Sequence, residues 1–249
     1  MDLRSQQQAA YDAEVNAPTQ LGSATDAMQS GMYSGLEFAA REAGFNNVED
    51  WSREQAAENL RLSQQYQQTG PQRIEEIGGV GDALEYAGNA LVNNAPQLGL
   101  QIGAGAAGFL FGGAPGALAA AVGVSAPMHL GESYKRQQEM GVDDPNAVWA
   151  AGAINTAMDV IPVGTVMRAA KVAKDLGGGT LAKAVAKGAA AEGFTEAAQG
   201  GVTDYSAGIK PSMDDDYLLD RANDAVAGAL LGGGITGASH AGGSMASLP

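Results

Sequence analysis

The chain contains no cysteine, so it has neither a disulfide framework nor thiolate metal ligands. Aromatic residues make up only 6% of it, and a conventional core of large side chains is therefore poorly supplied. Positive charge is also scarce. Fourteen Lys and Arg face 28 Asp and Glu, leaving a formal net charge of −14. That balance argues against a nucleic-acid backbone as the principal partner and against simple adsorption to anionic lipid. Period-two alternation and long β-branched runs are missing, which excludes a recognisable strand pattern and predicts an all-α fold. The first residues, Met1-Asp-Leu-Arg-Ser-Gln-Gln-Gln, show no basic stretch leading into an apolar run, so no signal peptide is expected.

What the sequence has in abundance is glycine, 36 residues in 249. A length of 249 suits one large domain or two small ones, and burial between subunits can supplement a sparse core. Glycine and alanine concentrate between Tyr86 and Gly131, a stretch with no Asp, Glu, Lys or Arg and with His129 as its one titratable ring. Gly costs about 1 kcal/mol per helical position relative to Ala, so this enrichment calls for a compensating contact. Close approach of helix backbones supplies one, and small residues four apart are its usual pattern. Gly99 and Gly103, then Gly108, Gly112 and Gly116, follow that spacing. Gly113-Ala-Pro-Gly116 reads as a turn, because Pro cannot continue the preceding helix and Gly permits unusual dihedrals. The expectation is a helical hairpin with arms near 97–112 and 116–138. A spanning helix needs about 20 predominantly apolar residues, and each arm falls short. Two readings follow: a hairpin that enters a membrane conditionally, or a tightly packed hairpin within a soluble helical assembly.

The remaining chain divides around this hairpin. A polar N-terminal helical region covers 1–79, the hairpin region 80–142, a C-terminal helical region 143–238 and a loose tail 239–249. Residues 1–20 read as a partly ordered arm or a short helix. Leu21, Ala24, Met28, Met32, Leu36, Ala39, Ala40 and Ala43 mark a helix with Gly44 as its C-cap. A polar helix is expected from about Trp51 to Gln68, then a short one over Pro71–Ile77. A long helix runs from Asp82 into the hairpin, with Pro96 as a kink. Asp143-Asp-Pro145 opens a helix over 145–160, and Ile161-Pro-Val-Gly164 is a connection. Further helices are expected over 164–176, 180–207 and 216–238, the last capped by Asp214 or Asp215. It carries a second Gly/Ala run in which Gly228 and Gly232 stand four apart. Arg168, Lys171, Lys174, Lys183 and Lys187 form a basic face that either meets DNA or lipid headgroups or is balanced by nearby acids.

No catalytic, cofactor or metal motif emerges. Glu132-Ser133 resembles the Glu-Ser pair of lytic transglycosylases, but the downstream segments of that family are missing, so Glu132 reads as a surface residue beside Lys135 and Arg136. Asp214-Asp-Asp216 lacks the Gly and distant Glu of a calcium loop and reads as a solvated acidic turn. His129 and His240 have no second ligand at helical spacing. Gly177-Gly-Gly-Thr180 lacks the ending of a phosphate-binding loop.

Several phrases resemble one another's counterparts in a known group. Asn94-Ala-Pro96 leads into the hairpin, Gly131-Glu-Ser-Tyr-Lys and Gln138-Glu-Met-Gly141 follow, then Asp144-Pro145 and Met158-Asp-Val-Ile-Pro162. Ala191-Glu-Gly-Phe-Thr-Glu-Ala-Ala-Gln199 completes the set. Over roughly residues 90–235 the chain resembles the internal virion, or DNA-ejection, proteins of tailed bacteriophages, especially short-tailed ones. The resemblance implies packaging in the capsid near the portal, exit through the tail ahead of the genome, and assembly as a helical tube in the host envelope. It implies a homo-oligomer, other ejection proteins and portal or tail components as partners, and viral DNA passing through the lumen without sequence-specific contact. A transglycosylase domain found in some members is absent from this chain, which leaves a small partner or a fragment of a larger protein. An acidic lumen that repels passing DNA is the corresponding expectation for the charge. A pore-forming effector acting without a virion, and a soluble scaffold for a peptidoglycan hydrolase, are the competing readings.

Overall fold

The computed structural model describes the backbone of residues 19–66, 70–173, 179–212 and 214–245. Side chains are described over the same residues except 98, 102, 106, 114, 160–188 and 231–245. Among the described residues the fold is all-α, with no strand. Helix α1 spans Gln20–Ala43, α2 Asn46–Ser63, α3 Val80–Met140, α4 Pro145–Ala173, α5 Gly179–Ser206 and α6 Asp215–Met245, with a 3-10 turn at Ile74–Glu76. The anticipated N-terminal arm lies mostly outside the described residues.

Helix ends follow local chemistry. The Thr19 hydroxyl accepts from Gly22 N–H at 3.0 Å and caps α1. Gly44 closes α1 and Gly141 closes α3, both left-handed at φ 75° and 66°. At each, the next residue's N–H reaches back to an orphan carbonyl, Phe45 to Ala40 at 2.8 Å and Val142 to Gln137 at 2.9 Å. Asp144 caps α4 through Ala147 N–H, and Asp214 caps α6 through Tyr217 N–H at 2.8 Å.

The hairpin is present, folded at Gly113. That residue adopts φ 61°, ψ −150°, the one non-helical conformation inside α3, so its arms are 80–112 and 114–140. Pro96 lies within the first arm, whose dihedrals remain helical there. Other boundaries also moved. Helix α2 begins at Asn46 rather than Trp51, and the expected Pro71–Ile77 helix contracts to the three-residue 3-10 turn. Helix α4 runs through Ile161–Gly164, where a connection was expected, and α6 extends to Met245, beyond the expected tail at Ser239.

Two crossings hold the helices together. In the first, α1 lies on the second arm of α3 with backbones almost touching. A Cβ on Gly35 would strike the Pro127 carbonyl, and one on Gly131 would strike the Gly31 carbonyl. This approach turns the small face of α1 inward. Ser30, Ser34 and Gly35 are buried, whereas Leu21 and Leu36, expected inside, are exposed. Phe38, fully buried, then meets Leu130, Tyr134 and Val148 in the main apolar cluster. Its ring lies 5.4 Å from those of Tyr134 and Trp149. In the second crossing, α5 packs on α6. A Cβ on Gly193 would meet the Ala225 carbonyl at 2.5 Å, and one on Gly228 the Glu192 carbonyl at 2.6 Å.

With so few large side chains inside, buried polar groups join the helices. Gln137 donates to the Ser206 carbonyl at 2.7 Å and the Asp144 carbonyl at 3.1 Å, and accepts from Asp144 N–H at 2.9 Å. One side chain thereby fastens the ends of α3 and α5 to the start of α4. Lys135 donates to Ser30 at 2.8 Å, and Ser30 donates to the Ala56 carbonyl at 2.9 Å, tying α3 to α1 and α1 to α2. Each such bond contributes about 1 kcal/mol net, but leaving a buried partner unpaired costs more.

Candidate functional site

Beside these crossings α3, α5 and α6 line an open polar cavity of about 360 Å³, with Asn94, His129, Glu132, Glu196, Asp204 and Arg221 among the lining residues. Helix α3 brings His129 and Glu132 one turn apart onto one face. His129, 4% exposed, is hydrogen-bonded through Nε2 to Asp159 of α4 at 2.9 Å and through Nδ1 to Glu132 at 3.2 Å. Burial opposes a charge on this ring, but its bonds to Asp159 and Glu132 and their negative charges prevail and hold its pKa up at about 10. The ring is an imidazolium at neutral pH and donates from both nitrogens.

Asp159 shares the arrangement. Burial pushes its carboxyl up, but the bond to His129, the imidazolium charge and donation from Gln199 outweigh that and hold its pKa below the usual value. Gln199 Nε2 donates to Asp159 Oδ1 at 2.6 Å and to the Asn155 carbonyl at 2.9 Å. Asn155 in turn donates to Thr203 at 2.9 Å, so α4 and α5 are laced together by amides. Gln101, from the first arm of α3, donates to Ser125 on the second at 3.1 Å and reaches Asp159 at 3.4 Å.

Two further carboxyls on α5 face this node. Burial pushes Glu196 up to about 8, helped by the charges of Glu132, Asp159 and Glu192. Glu192 is pushed up to about 7 by burial and by Asp159. Glu196 is thus mostly a neutral acid at pH 7, chiefly because it is buried and secondarily because carboxylates surround it.

The far wall is a second ion-pair group. Asp204, nearly buried, accepts from Arg136 Nε at 2.8 Å and pairs with Arg221 at 3.2 Å, while Arg221 also meets Asp224 at 2.8 Å. The Arg221 guanidinium lies across Gly200, where a Cβ would collide with it. Among the described residues no group of three or more His, Cys, Asp or Glu is arranged to hold a metal ion. The node links three helices through His129, Asp159 and Gln199, with the Glu192 and Glu196 carboxyls beside it.

The sequence-selected residues separate into three groups. Gly108 and Gly116 meet across the hairpin, each placed where a Cβ would strike the other's carbonyl. Gly228 is the tight contact at the α5–α6 crossing. At Gly99, Gly103 and Gly112 an added Cβ would meet nothing within 4 Å among the described residues, so these three make no close contact within the chain. The surroundings of Gly232 and the side chains of Arg168, Lys171, Lys183 and Lys187 lie outside the described residues, as does Lys174 altogether. Glu132 is exposed beside Lys135, as expected, and in addition partners His129.

The tight contacts at Gly31, Gly35, Gly131, Gly193 and Gly200 were not anticipated, although Gly31 and Gly35 do show the four-residue spacing. The His129–Asp159–Glu196 grouping had no signal in residue spacing, because its members are scattered over three helices. No family model, no curated protein and no solved structure matches this chain.

Proposed function

We propose that the chain is a non-enzymatic internal virion protein of a tailed bacteriophage, which oligomerises into a DNA-ejection channel across the host envelope. It would travel from the virion interior to the periplasm or inner membrane, in company with other ejection proteins and portal or tail components. The observation that carries the reading is the set of phrases given above, from Asn94 to Gln199. Their residues Asn94, Glu132, Asp159 and Gln199 gather around the one polar node. Phrases scattered over more than a hundred residues therefore belong to one structural unit. A sparse core held by glycine crossings and satisfiable polar groups also suits a chain that must loosen in a narrow tube and repack as an oligomer. The acidic excess suits a passage along which DNA slides without sticking.

Purified virions provide the test. The chain should be present in filled particles, and absent from particles that have released their genome. Its absence from filled virions would overturn the reading. A second reading, a membrane-active effector acting without a virion, draws on the exposed Phe109–Phe111 at the hairpin tip. A peptidoglycan-cleavage assay with Glu132→Gln as control separates both from an enzymatic role: equal inactivity of the two proteins is expected.

A further inference from the structure

The hairpin tip carries three consecutive exposed large apolar residues. Phe109, Leu110 and Phe111 are 53%, 82% and 94% exposed, and Leu118 on the return arm is 48% exposed. Between Ala90 and Ser125 no described side chain is buried. Three adjacent large apolar residues at the apex of a charge-free hairpin are costly in water, at about 25 cal/mol for each Å² left exposed. Isolated exposed apolar residues are ordinary, but a contiguous group at a projecting end marks an interaction surface.

The dimensions select the partner. The Gln101–Ser125 hydrogen bond joins the arms at one level, where the polar node begins. Twelve residues separate Gly113 from Gln101 on one arm and from Ser125 on the other. At 1.5 Å per residue the hairpin reaches about 18 Å beyond that polar level. A hydrocarbon core is about 30 Å thick, so this reach covers one leaflet and stops short of the other. No helix among the described residues is long and apolar enough to cross a membrane. Backbone contact at Gly108 and Gly116 keeps the hairpin thin, and its helical arms satisfy their own backbone groups apart from those freed at the turn.

We propose that residues 102–124 form a wedge that enters a single lipid leaflet, with Phe109, Leu110 and Phe111 leading and Gln101 and Ser125 marking its limit. The proposal deepens the envelope reading and rests on it only for which membrane is met. The wedge is uncharged and the chain is acidic, so entry is driven by apolar burial. Zwitterionic vesicles should serve as well as anionic ones.

Because the chain lacks cysteine, Leu110→Cys provides a unique attachment point for an environment-sensitive fluorophore, with Glu54→Cys on exposed α2 as reference. With phosphatidylcholine vesicles the label at position 110 should shift to the blue and brighten several-fold, while the label at 54 stays unchanged. Quenchers placed in the contacted leaflet should extinguish it, and quenchers confined to the opposite leaflet should not. A Phe109→Ser, Leu110→Ser, Phe111→Ser triple variant, checked for unchanged helicity, should lose at least about tenfold in vesicle affinity.

Three results would overturn the wedge. The first is an unchanged label at 110. The second is vesicle binding that needs phosphatidylglycerol and survives the triple variant, which would point to the basic segment around Lys171. The third is a blue shift that rises with protein concentration and needs no vesicles, which would make the tip an interface between copies of the chain. A chain found in virions whose tip ignores lipid would remove the wedge and leave the channel. A chain that inserts into vesicles but is missing from virions would do the reverse.

Discussion

His129 and Asp159 meet at 2.9 Å inside the bundle, one on α3 and the other on α4. The imidazolium is kept charged by two carboxylates, while Glu196 and Glu192 nearby are kept partly neutral by burial, helped by the neighbouring carboxylates. This sets a pH dependence. The folded pKa of His129 is raised from 6.5 to about 10, so its contribution is complete below 6.5 and lost as pH rises through 10. The carboxyls of Glu192 and Glu196 are raised from 4.5 to about 7 and about 8, so theirs is complete below 4.5 and lost as pH climbs through those values. Asp159 is lowered, and its contribution disappears in acid below its ordinary value of 3.8. Stability should therefore peak in mildly acidic buffer and decline steadily from about pH 5 to 10, as a series of thermal melts would show.

Glu196→Gln removes the carboxyl that resists ionisation while keeping its shape. It should leave the melting temperature at pH 5 nearly unchanged and raise it at pH 9, flattening the decline. A gain of 1 kcal/mol corresponds to about 2–4 °C in a chain of this size. An equal change at both pH values would mean that ionisation is not the cause.

Glycines of the same spacing should respond with opposite signs. Gly108→Ala and Gly116→Ala force the hairpin arms apart and should cost about 1–3 kcal/mol each in urea denaturation. Gly99→Ala and Gly103→Ala meet open space in a regular helix and should stabilise by about 0.5–1 kcal/mol. Gly113→Ala belongs with the first pair for a different reason: φ 61° with ψ −150° strains any residue with a Cβ.

At the other crossing, Gly35→Ala and Gly131→Ala separate α1 from α3. Each should cost about 1–3 kcal/mol or more, since the obstacle is rigid backbone. Hydrogen exchange should then quicken in α1 and α2 first, because their attachment to the bundle runs through this contact.

Asp204→Asn leaves Arg136 and Arg221 without their shared carboxylate. Removing one partner of a buried pair costs about 3–5 kcal/mol, and the lower end is expected because Arg136 remains partly exposed. The loss should persist in high salt, which screens surface pairs and not this one.

The sequence by itself determined the elements whose causes are local. The Gly44 cap, the start of α4 at Asp144-Pro145, the Asp214 cap and the turn at Gly113–Gly116 are each decided by residues within a few positions of one another. The all-α class follows from the same short-range preferences. Tertiary structure decided the rest. Spacing alone made Gly99, Gly103 and Gly112 look equivalent to Gly108, and only the arrival of Gly116 singles out the one in close contact within the chain. Leu21 and Leu36 were natural core residues until close packing against Pro127 and Gly131 turned the small face of α1 inward. His129, Asp159 and Glu196 carry no pattern along the chain, because the field each one feels comes from charges on other helices. Helix caps and turns depend on bonded neighbours, whereas burial and charge depend on whichever distant segment the fold brings alongside.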